Sequence, residues 1–143
     1  MEEIKIIEVI TKDITEPRND GTPGSALYMV PFRLNRTPSN LWANEFVKVW
    51  NSPPRFTTLH RPGIARVSGD RIILDGTTIE EVKSTHKETL ELCVSEANRI
   101  EAEYLQKQKE HNQAVQKRNS EFRRRVEEDA KSINFNKSPN RPT

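Results

Sequence analysis

The sequence predicts an α+β fold in the order β-β-α-β-β-α, with a four-stranded, mainly antiparallel sheet, one short helix and a very long C-terminal helix. Three observations predict it. Short stretches rich in β-branched residues are separated by segments that contain Pro or Gly. A stripe of Trp and Phe has helical spacing near the middle of the chain. Finally, residues 78–133 contain neither Pro nor Gly.

The first two strands are predicted at residues 4–10 and 27–34. The first is the β-branched stretch IKIIEVI, a composition that favours strands. In the second, alternate residues fall on one face, which we assign to the core: Tyr28, Val30, Phe32 and Leu34. Pro31 cannot donate a ladder hydrogen bond, so this strand is expected to lie at a sheet edge or to carry a bulge.

The short helix is predicted from Thr37, as N-cap, through Pro38 to about Trp50. Its apolar residues have helical spacing and are expected to pack on the sheet: Trp42, Phe46, Val49 and Trp50. The sequence Asn-Ser-Pro-Pro at 51–54 ends the helix. A hairpin follows, with strands at 64–67 and 71–74 joined by Ser-Gly-Asp at 68–70.

After the hairpin, Asp75-Gly76 is expected to turn the chain into the long helix. Thr77 or Thr78 caps that helix, and Thr78 with Glu81 has capping-box spacing. Its apolar stripe advances by three or four residues and is expected to dock on the sheet over its first half: Ile79, Val82, His86, Leu90, Cys93, Ala97, Ile100 and Tyr104. The predicted organisation is a head of residues 1–76, completed by the first half of the helix, a helix of residues 77–133, and a disordered tail of residues 134–143.

The second half of the helix has no evident core to pack on. A helix of about 55 residues is about 80 Å long, whereas the preceding residues make a globule only about 30 Å across. Apolar residues recur every 11 positions at 93, 104, 115 and 126, a period that favours a nearly straight helical pairing. We therefore expect a homo-oligomer, with a dimer favoured, paired through Tyr104, Val115, Phe122 and Val126. The alternatives are a solvated, fraying helix and a helical hairpin that breaks near His111-Asn112.

Charge is distributed in blocks. Residues 31–71 carry seven basic and two acidic side chains, residues 80–103 carry three basic and seven acidic, and residues 107–125 carry seven basic and two acidic. The functional interpretation is a pair of basic surfaces that contact nucleic acid or another anion through Arg55, His60, Arg61, Arg66, Arg123, Arg124 and Arg125. The alternative is charge complementarity within the chain or between subunits.

The sequence contains no spacing typical of metal ligands and no glycine-rich phosphate loop. Cys93 and His86 lie on the apolar stripe and are expected to pack in the core. The most polar segment is 54–63, PRFTTLHRPG, in which Arg55, His60 and Arg61 could bind an anion. Its alternative is a basic surface connection with Phe56 and Leu59 tucked into the core. Asp70 and Asp75 are attributed to turns.

These patterns predict a non-enzymatic protein–protein interaction or assembly module without catalytic residues, cofactor or metal. In one version of this hypothesis, the chain binds a different protein instead of a second copy of itself. Two other classes are a nucleic-acid-binding accessory protein and an enzyme built on His60 and Arg55. A single cysteine is consistent with a reducing compartment. Because no apolar run approaches a membrane span, we expect a cytoplasmic protein without a membrane partner.

Overall fold

The computed structural model describes residues 2–17, 21, 26–133 and 135. The strands are β1 (Ile6–Val9), β2 (Tyr28–Leu34), β3 (Ala65–Ser68) and β4 (Arg71–Thr77). The helices are α1 (Asn40–Asn51), α2 (Ile79–Glu81) and α3 (Lys87–Ser132), with a 3₁₀ turn at Thr11–Asp13 and a π-helical segment at Val82–His86. The predicted α+β class and element order are confirmed.

The four strands form one open antiparallel sheet in the order β1-β2-β4-β3. Of the two expectations for the strand of Pro31, an edge position is wrong, because β2 lies between β1 and β4. The bulge expectation is not met in β2 itself, since the extra residues at its two register shifts, Ile7 and Gly76, belong to β1 and β4. The carbonyl of Pro31 accepts the backbone N–H of Ile10 at 2.9 Å. The backbone N and O of one strand residue point to the same side. The nitrogen of Pro31, which carries no hydrogen, therefore faces the end of β1, and no hydrogen bond between β2 and β4 is lost at this position.

The hairpin forms as predicted, with Gly69 at φ +59° in its turn. The expected turn at Asp75-Gly76 is wrong, since both residues lie inside β4. Tyr28 is opposite Thr77 and Met29 is opposite Asp75, which makes Gly76 the extra residue of a bulge. Its φ of +132° is a conformation that residues with a side chain rarely adopt.

Helix α1 begins two residues later than predicted. Ser39, not Thr37, is the N-cap, and its Oγ accepts the backbone N–H of Trp42 at 3.1 Å. The predicted stripe does face the core: Trp42, Phe46 and Trp50 are fully buried, and Val49 is half-buried. Trp42 and Phe46 stack with ring centroids 5.3 Å apart. These three large side chains supply most of the apolar area that α1 buries.

The long helical segment starts where predicted. Thr78 is the N-cap, and its Oγ1 accepts the N–H of Glu81 at 3.1 Å. The alternative of a helical hairpin that breaks near His111 is wrong, because α3 runs without a break from Lys87 to Ser132. The residues that α2, the π-helical segment and α3 bury against the core are Val82, His86, Thr89, Leu90, Cys93, Val94, Ala97 and Glu101. Five of them belong to the predicted stripe: Val82, His86, Leu90, Cys93 and Ala97. Thr89, Val94 and Glu101 were not predicted, and Ile79 of the predicted stripe is half-buried.

The chain divides into two compact units, one ending at Glu103 and one beginning at Tyr104. We call them the head and the distal helix. In the distal helix every described side chain is exposed except Val115, which is half-buried. The predicted disordered tail lies outside the described residues apart from Phe135. No helix in the described part of the chain is both long and apolar enough to cross a membrane.

Candidate functional site

The polar segment at 54–63 divides into an exposed part and an anchored part. Phe56 is 59% exposed and Leu59 is 36% exposed, so the expectation that they pack in the core is wrong. His60 and Arg61 instead turn toward the head and are partly buried. Arg55 is exposed with Phe56. The fold therefore separates Arg55 from the two residues with which it was grouped by sequence.

Arg61 forms a bidentate ion pair with Glu81 from α2. Its NH2 group donates to Oε2 at 2.8 Å and its NH1 group donates to Oε1 at 2.5 Å. The buried hydroxyl of Thr77, at the end of β4, donates to Oε1 at 2.9 Å. The pKa of Glu81 is lowered, chiefly because Arg61 donates these hydrogen bonds to its carboxylate. Glu81 thus joins the loop before β3 to the sheet and to the start of the long helical segment.

His60 anchors the same loop on α1. Its Nε2 lies 2.7 Å from the backbone carbonyl of Trp50, which as an acceptor requires the proton on Nε2. In return, the indole Nε1–H of Trp50 donates to the carbonyl of Arg61 at 3.0 Å. The rings of His60 and Trp50 lie 4.6 Å apart, and Phe56 meets His60 edge-on at 5.5 Å. These contacts fix the base of the loop and leave its tip exposed.

The second histidine of this region, His86, is completely buried at the end of the π-helical segment. Its Nε2 is 3.9 Å from Oε1 of Glu81, and neither ring nitrogen has a hydrogen-bond partner among the described residues. Burial is the main cause that lowers its pKa; Arg61 and His60 lower it further, while Glu81 acts in the opposite direction. A neutral, unpaired imidazole in the core costs stability and sits where π-helical bulges often mark functional positions.

We call these five residues, Thr77, Glu81, His86, His60 and Arg61, the Glu81 cluster. Both carboxylate oxygens of Glu81 are engaged by Arg61 and Thr77, and His86 has no solvent access. An acid or base must reach the proton that it transfers, and neither group does so in this arrangement. Within the described residues there is also no group of three or more His, Cys, Asp or Glu side chains that could hold a metal ion. The geometry of the cluster fits a structural joint better than a reaction centre.

Cys93 is also removed from chemistry by its surroundings. Its side chain is completely buried in the core. Burial raises the pKa of its thiol to about 12. Because the thiolate is the reactive form, the native side chain behaves as a small apolar group at neutral pH.

The predicted anion-binding residues are dispersed. Arg66 lies 3.3 Å from the carboxylate of Asp75, and Arg124 lies 3.3 Å from that of Glu128. Arg123 and Arg125 are exposed on α3 on either side of Arg124, so the three arginines point to different sides of the helix. Among the described residues, Arg55, Arg123 and Arg125 are therefore the predicted arginines without an ion pair, and His60 is engaged by the carbonyl of Trp50 rather than by a carboxylate.

The predicted pairing residues do share one side of the distal helix. At 100° per residue, Tyr104, Val115, Phe122 and Val126 fall within about 40° of one another. Tyr104 is 51% exposed, Phe122 is 61% exposed and Val126 is 45% exposed, while Val115 is half-buried. Most of this stripe is therefore open to solvent.

A groove beside the edge strand was not predicted from the sequence. It has a volume of about 910 Å³ and runs between β1 and the helical segment packed over it. Apolar side chains line its floor and walls: Ile4, Ile6, Val9, Phe32, Ile79, Val82, Leu90 and Val94. By sequence, all of these residues except Val94 were assigned to strands or to the helix stripe. Which strand lies at the edge depends on the sheet order, which the sequence pattern did not give.

Sequence reasoning also missed two polar residues of α3, Asn98 and Glu101. Asn98 Oδ1 accepts the N–H of Ile4 at 3.1 Å and the indole N–H of Trp42 at 2.8 Å. Glu101 is buried, and the Ser39 hydroxyl donates to its Oε2 at 2.5 Å. The available signal was their position on the helix, since residues 98 and 101 lie beside Ala97 of the apolar stripe. Polar residues at such positions also occur on exposed helix faces, so this signal does not identify buried contacts.

Comparison with known proteins matched this chain to no family model, no curated protein and no solved structure. Function is therefore argued from the geometry of the head and of the distal helix.

Proposed function

We propose that this chain is a non-enzymatic protein–protein interaction and assembly module. The distal helix brings copies together, with a dimer favoured, and the head presents the surface that a partner recognises. The observation that carries the proposal is the exposed stripe of Tyr104, Val115, Phe122 and Val126 on a helix that buries none of its own residues after Glu101.

Two physical arguments support assembly through this stripe. Isolated helices gain little stability from propensity alone, and tertiary packing of an apolar face supplies most of it. Large aromatic side chains such as Phe122 and Tyr104 lose a favourable burial of apolar area when they face water. A second helix that covers the stripe provides both contributions.

Light scattering after size-exclusion chromatography tests the proposal. The wild-type protein is expected to have at least twice the mass of one chain. Replacing Val115 and Phe122 together with Asp places two charges in the pairing surface and is expected to give a monomer. A monomeric wild type, or a double variant of unchanged mass, would show that the stripe does not pair.

A matched control is available on the same helix. Gln113 and Ser120 are seven residues apart, as are Val115 and Phe122, but they lie on roughly the opposite side of the helix. The double variant Gln113→Asp/Ser120→Asp adds the same charge and comparable low helix propensity. It is expected to keep the mass of the wild type, which separates loss of the stripe from a general effect on the helix.

A second candidate function is binding of single-stranded nucleic acid, and one observation favours it. Phe56 is exposed next to Arg55, and residues 52–69 include four basic or imidazole side chains and no acidic one. An exposed aromatic ring beside arginine can stack on a base while the cation contacts phosphate. Arg123 and Arg125 of the distal helix would add phosphate contacts without base readout.

Fluorescence anisotropy with a labelled oligonucleotide tests this candidate. Binding should weaken steeply with salt and should fall roughly fivefold or more in Phe56→Ala. Thr58→Ala is the control in the same segment, because the Thr58 side chain is exposed and is neither aromatic nor charged. Absence of binding at low ionic strength, or equal binding by Phe56→Ala, would rule the candidate out.

A further inference from the structure

We infer that the groove beside β1 is the partner-recognition surface of the head, and that it takes an extended, acidic-ended peptide as an added strand. The inference deepens the proposed function by stating what chemistry the head recognises. It rests on the hydrogen-bonding edge of β1, on the apolar groove beneath that edge and on the charge at the two ends of the groove.

The outer edge of β1 has backbone groups that point away from the sheet. Leu34 donates its N–H to Asp70, toward β4, so Ile6, which is opposite Leu34, does not exchange hydrogen bonds with β2. A register shift between Ile6 and Glu8 then makes Ile7 a bulge residue. Val9 is opposite Phe32, which lies two residues before Leu34 and so also directs its backbone groups toward β4. The backbone N–H and C=O of Val9 therefore point outward as well. An added strand would find the N–H and C=O groups of Ile6 and Val9.

At Ile4 this edge already bonds to an amide group, the side chain of Asn98. Asn98 Oδ1 accepts the N–H of Ile4 at 3.1 Å, and Asn98 Nδ2 donates to the carbonyl of Ile4 at 3.0 Å. This is the pattern that a peptide group of a neighbouring strand would make. Lys5, the next residue, bonds to Asn35 on the β2 side, so Ile4 and Ile6 lie on the same outer edge. Asn98 closes that edge at Ile4, whereas from Ile6 onward the described residues provide no hydrogen-bond partner for its outward-facing groups.

The groove supplies places for alternate side chains of such a strand. Ile4, Ile6 and Val9 are buried or half-buried on the groove side, whereas Lys5, Ile7 and Glu8 are exposed on the other face. Successive side chains of a strand point to opposite faces, so every second side chain of the added strand would enter the groove. Peptides bind other sheet edges in this way, with backbone bonds for affinity and pockets for specificity.

Charge identifies the kind of peptide. Asn98 places the Ile4 end of the groove near Arg99, whose guanidinium is held by Glu96 at 2.9 Å and Glu103 at 2.8 Å. Lys83 and Lys87 border the other end, about three to four turns earlier along the helical segment. Lys87 lies 3.8 Å from Glu91, and Glu8, which also lines the groove, is held by Arg33 at 3.0 Å. Lys83 has no ion pair among the described residues and is the cation available to a peptide carboxylate at this end. Carboxylates of a peptide are therefore complementary to the Val9 end.

The bulge argues against a second copy as the occupant. The extra residue at Ile7 shifts the side-chain alternation of β1, so two antiparallel copies of β1 would place groove-side residues of one opposite solvent-side residues of the other over part of their length. A regular strand from a partner has no such shift. Bulges and charged residues on an edge strand are known means of reducing self-pairing.

The test uses two synthetic probes of alternating valine and threonine, one with two aspartates at its N-terminus and one with them at its C-terminus. Binding is measured per chain in the full-length Val115→Asp/Phe122→Asp protein as well as in the wild type, so failure to assemble and failure to bind are separate results. One of the two probes is expected to bind, because strand direction decides which end meets Lys83. Replacing its aspartates with lysines is expected to weaken binding roughly fivefold or more.

Amide hydrogen exchange followed by NMR distinguishes strand addition from other docking. Binding is expected to slow exchange at Ile6 and Val9, while Glu8 and Ile10, which face β2, change little. N-methylation of alternate probe amides should abolish binding, and Lys83→Gln/Lys87→Gln should reduce it while leaving the fold intact, since both side chains are exposed and an exposed ion pair contributes little to stability.

Three outcomes overturn the inference: no probe binds, the N-methylated probe binds equally well, or binding leaves the exchange of Ile6 and Val9 unchanged. Protection of these two amides in the free protein would also overturn it, because that result would show that a second copy already covers the edge.

Discussion

The indole Nε1–H of Trp42 donates to Oδ1 of Asn98 at 2.8 Å, across 56 positions of sequence. The same oxygen accepts the N–H of Ile4, and the amide nitrogen of Asn98 donates to the carbonyl of Ile4. One side chain of α3 thus satisfies three groups that belong to α1 and to the residues before β1. It joins the long helix to α1 and to the segment that leads into β1.

Asn98→Ala is expected to destabilise the head by about 2 kcal/mol or more. It leaves the Trp42 indole and both backbone groups of Ile4 without their partner, and an unsatisfied buried polar group costs about 1–3 kcal/mol. Urea denaturation followed by circular dichroism measures the loss. Asn112→Ala makes the same change at an exposed position of the same helix and is expected to stay within about 0.5 kcal/mol of wild type. Equal stabilities of the two variants would contradict the role assigned to Asn98.

The Arg61–Glu81 pair is expected to contribute a coupling free energy of about 1–3 kcal/mol, since it is bidentate, partly buried and supported by Thr77. A double-mutant cycle with Arg61→Ala and Glu81→Ala measures this quantity. The exposed pair of Arg124 and Glu128 provides the comparison, with an expected coupling of about 0.5 kcal/mol or less. A coupling at Arg61–Glu81 no larger than that of the exposed pair would show that Glu81 does not hold the loop.

His86 predicts a dependence of stability on pH. Burial lowers its pKa in the folded protein, whereas in the unfolded chain the pKa is about 6.5. Between these two values the unfolded state binds more protons, so the free energy of unfolding decreases as the pH falls below about 6.5, by at most about 1.4 kcal/mol per pH unit. Above that pH the contribution of His86 is fully present.

Denaturation curves of wild type and His86→Gln between pH 7.5 and 5 test this sign. The variant has no imidazole at this position and is expected to show a flatter profile in that range. Glu81, whose pKa is lowered in the folded state, acts at more acidic pH: its contribution is present above about pH 4.3 and is lost as the pH falls further. Identical slopes for wild type and variant between pH 6.5 and 5 would mean that another group titrates there.

A large part of the fold could be predicted because its determinants are local. The spacing of Trp42, Phe46 and Trp50 defines the buried side of α1, and the Ser-Gly-Asp turn defines the hairpin. Thr78 marks the start of the long helical segment, and the absence of Pro and Gly allows it to continue to Ser132. Each of these signals depends on residues within a few positions of one another, where backbone preferences and side-chain periodicity act directly.

The sheet order could not be obtained in this way. Pro31 has the same local preference in an inner strand as at an edge. An inner strand tolerates Pro31 because this residue faces Ile10, just beyond the last residue of β1. The N–H that proline lacks therefore removes no hydrogen bond from the β1–β2 ladder. Asp75-Gly76 likewise has the composition of a turn, but pairing with β2 holds it in β4 as a bulge. Strand neighbours are set by the packing of the whole sheet, and local preference yields to that larger free energy.

The polar contacts of the head are the clearest case of tertiary determination. By sequence, His60 and Arg61 formed one basic group with Arg55; in the fold, Glu81 and Trp50 draw the first two inward and leave Arg55 outside. The sequence alone determined that the C-terminal segment is helical over most of its length and apolar along one stripe, because those properties follow from composition and period; that α3 continues past His111 without a break is seen in the structure. Only the tertiary structure decided which polar residues meet, that β1 lies at the edge and that a groove borders it, because these depend on distances between residues far apart in the chain.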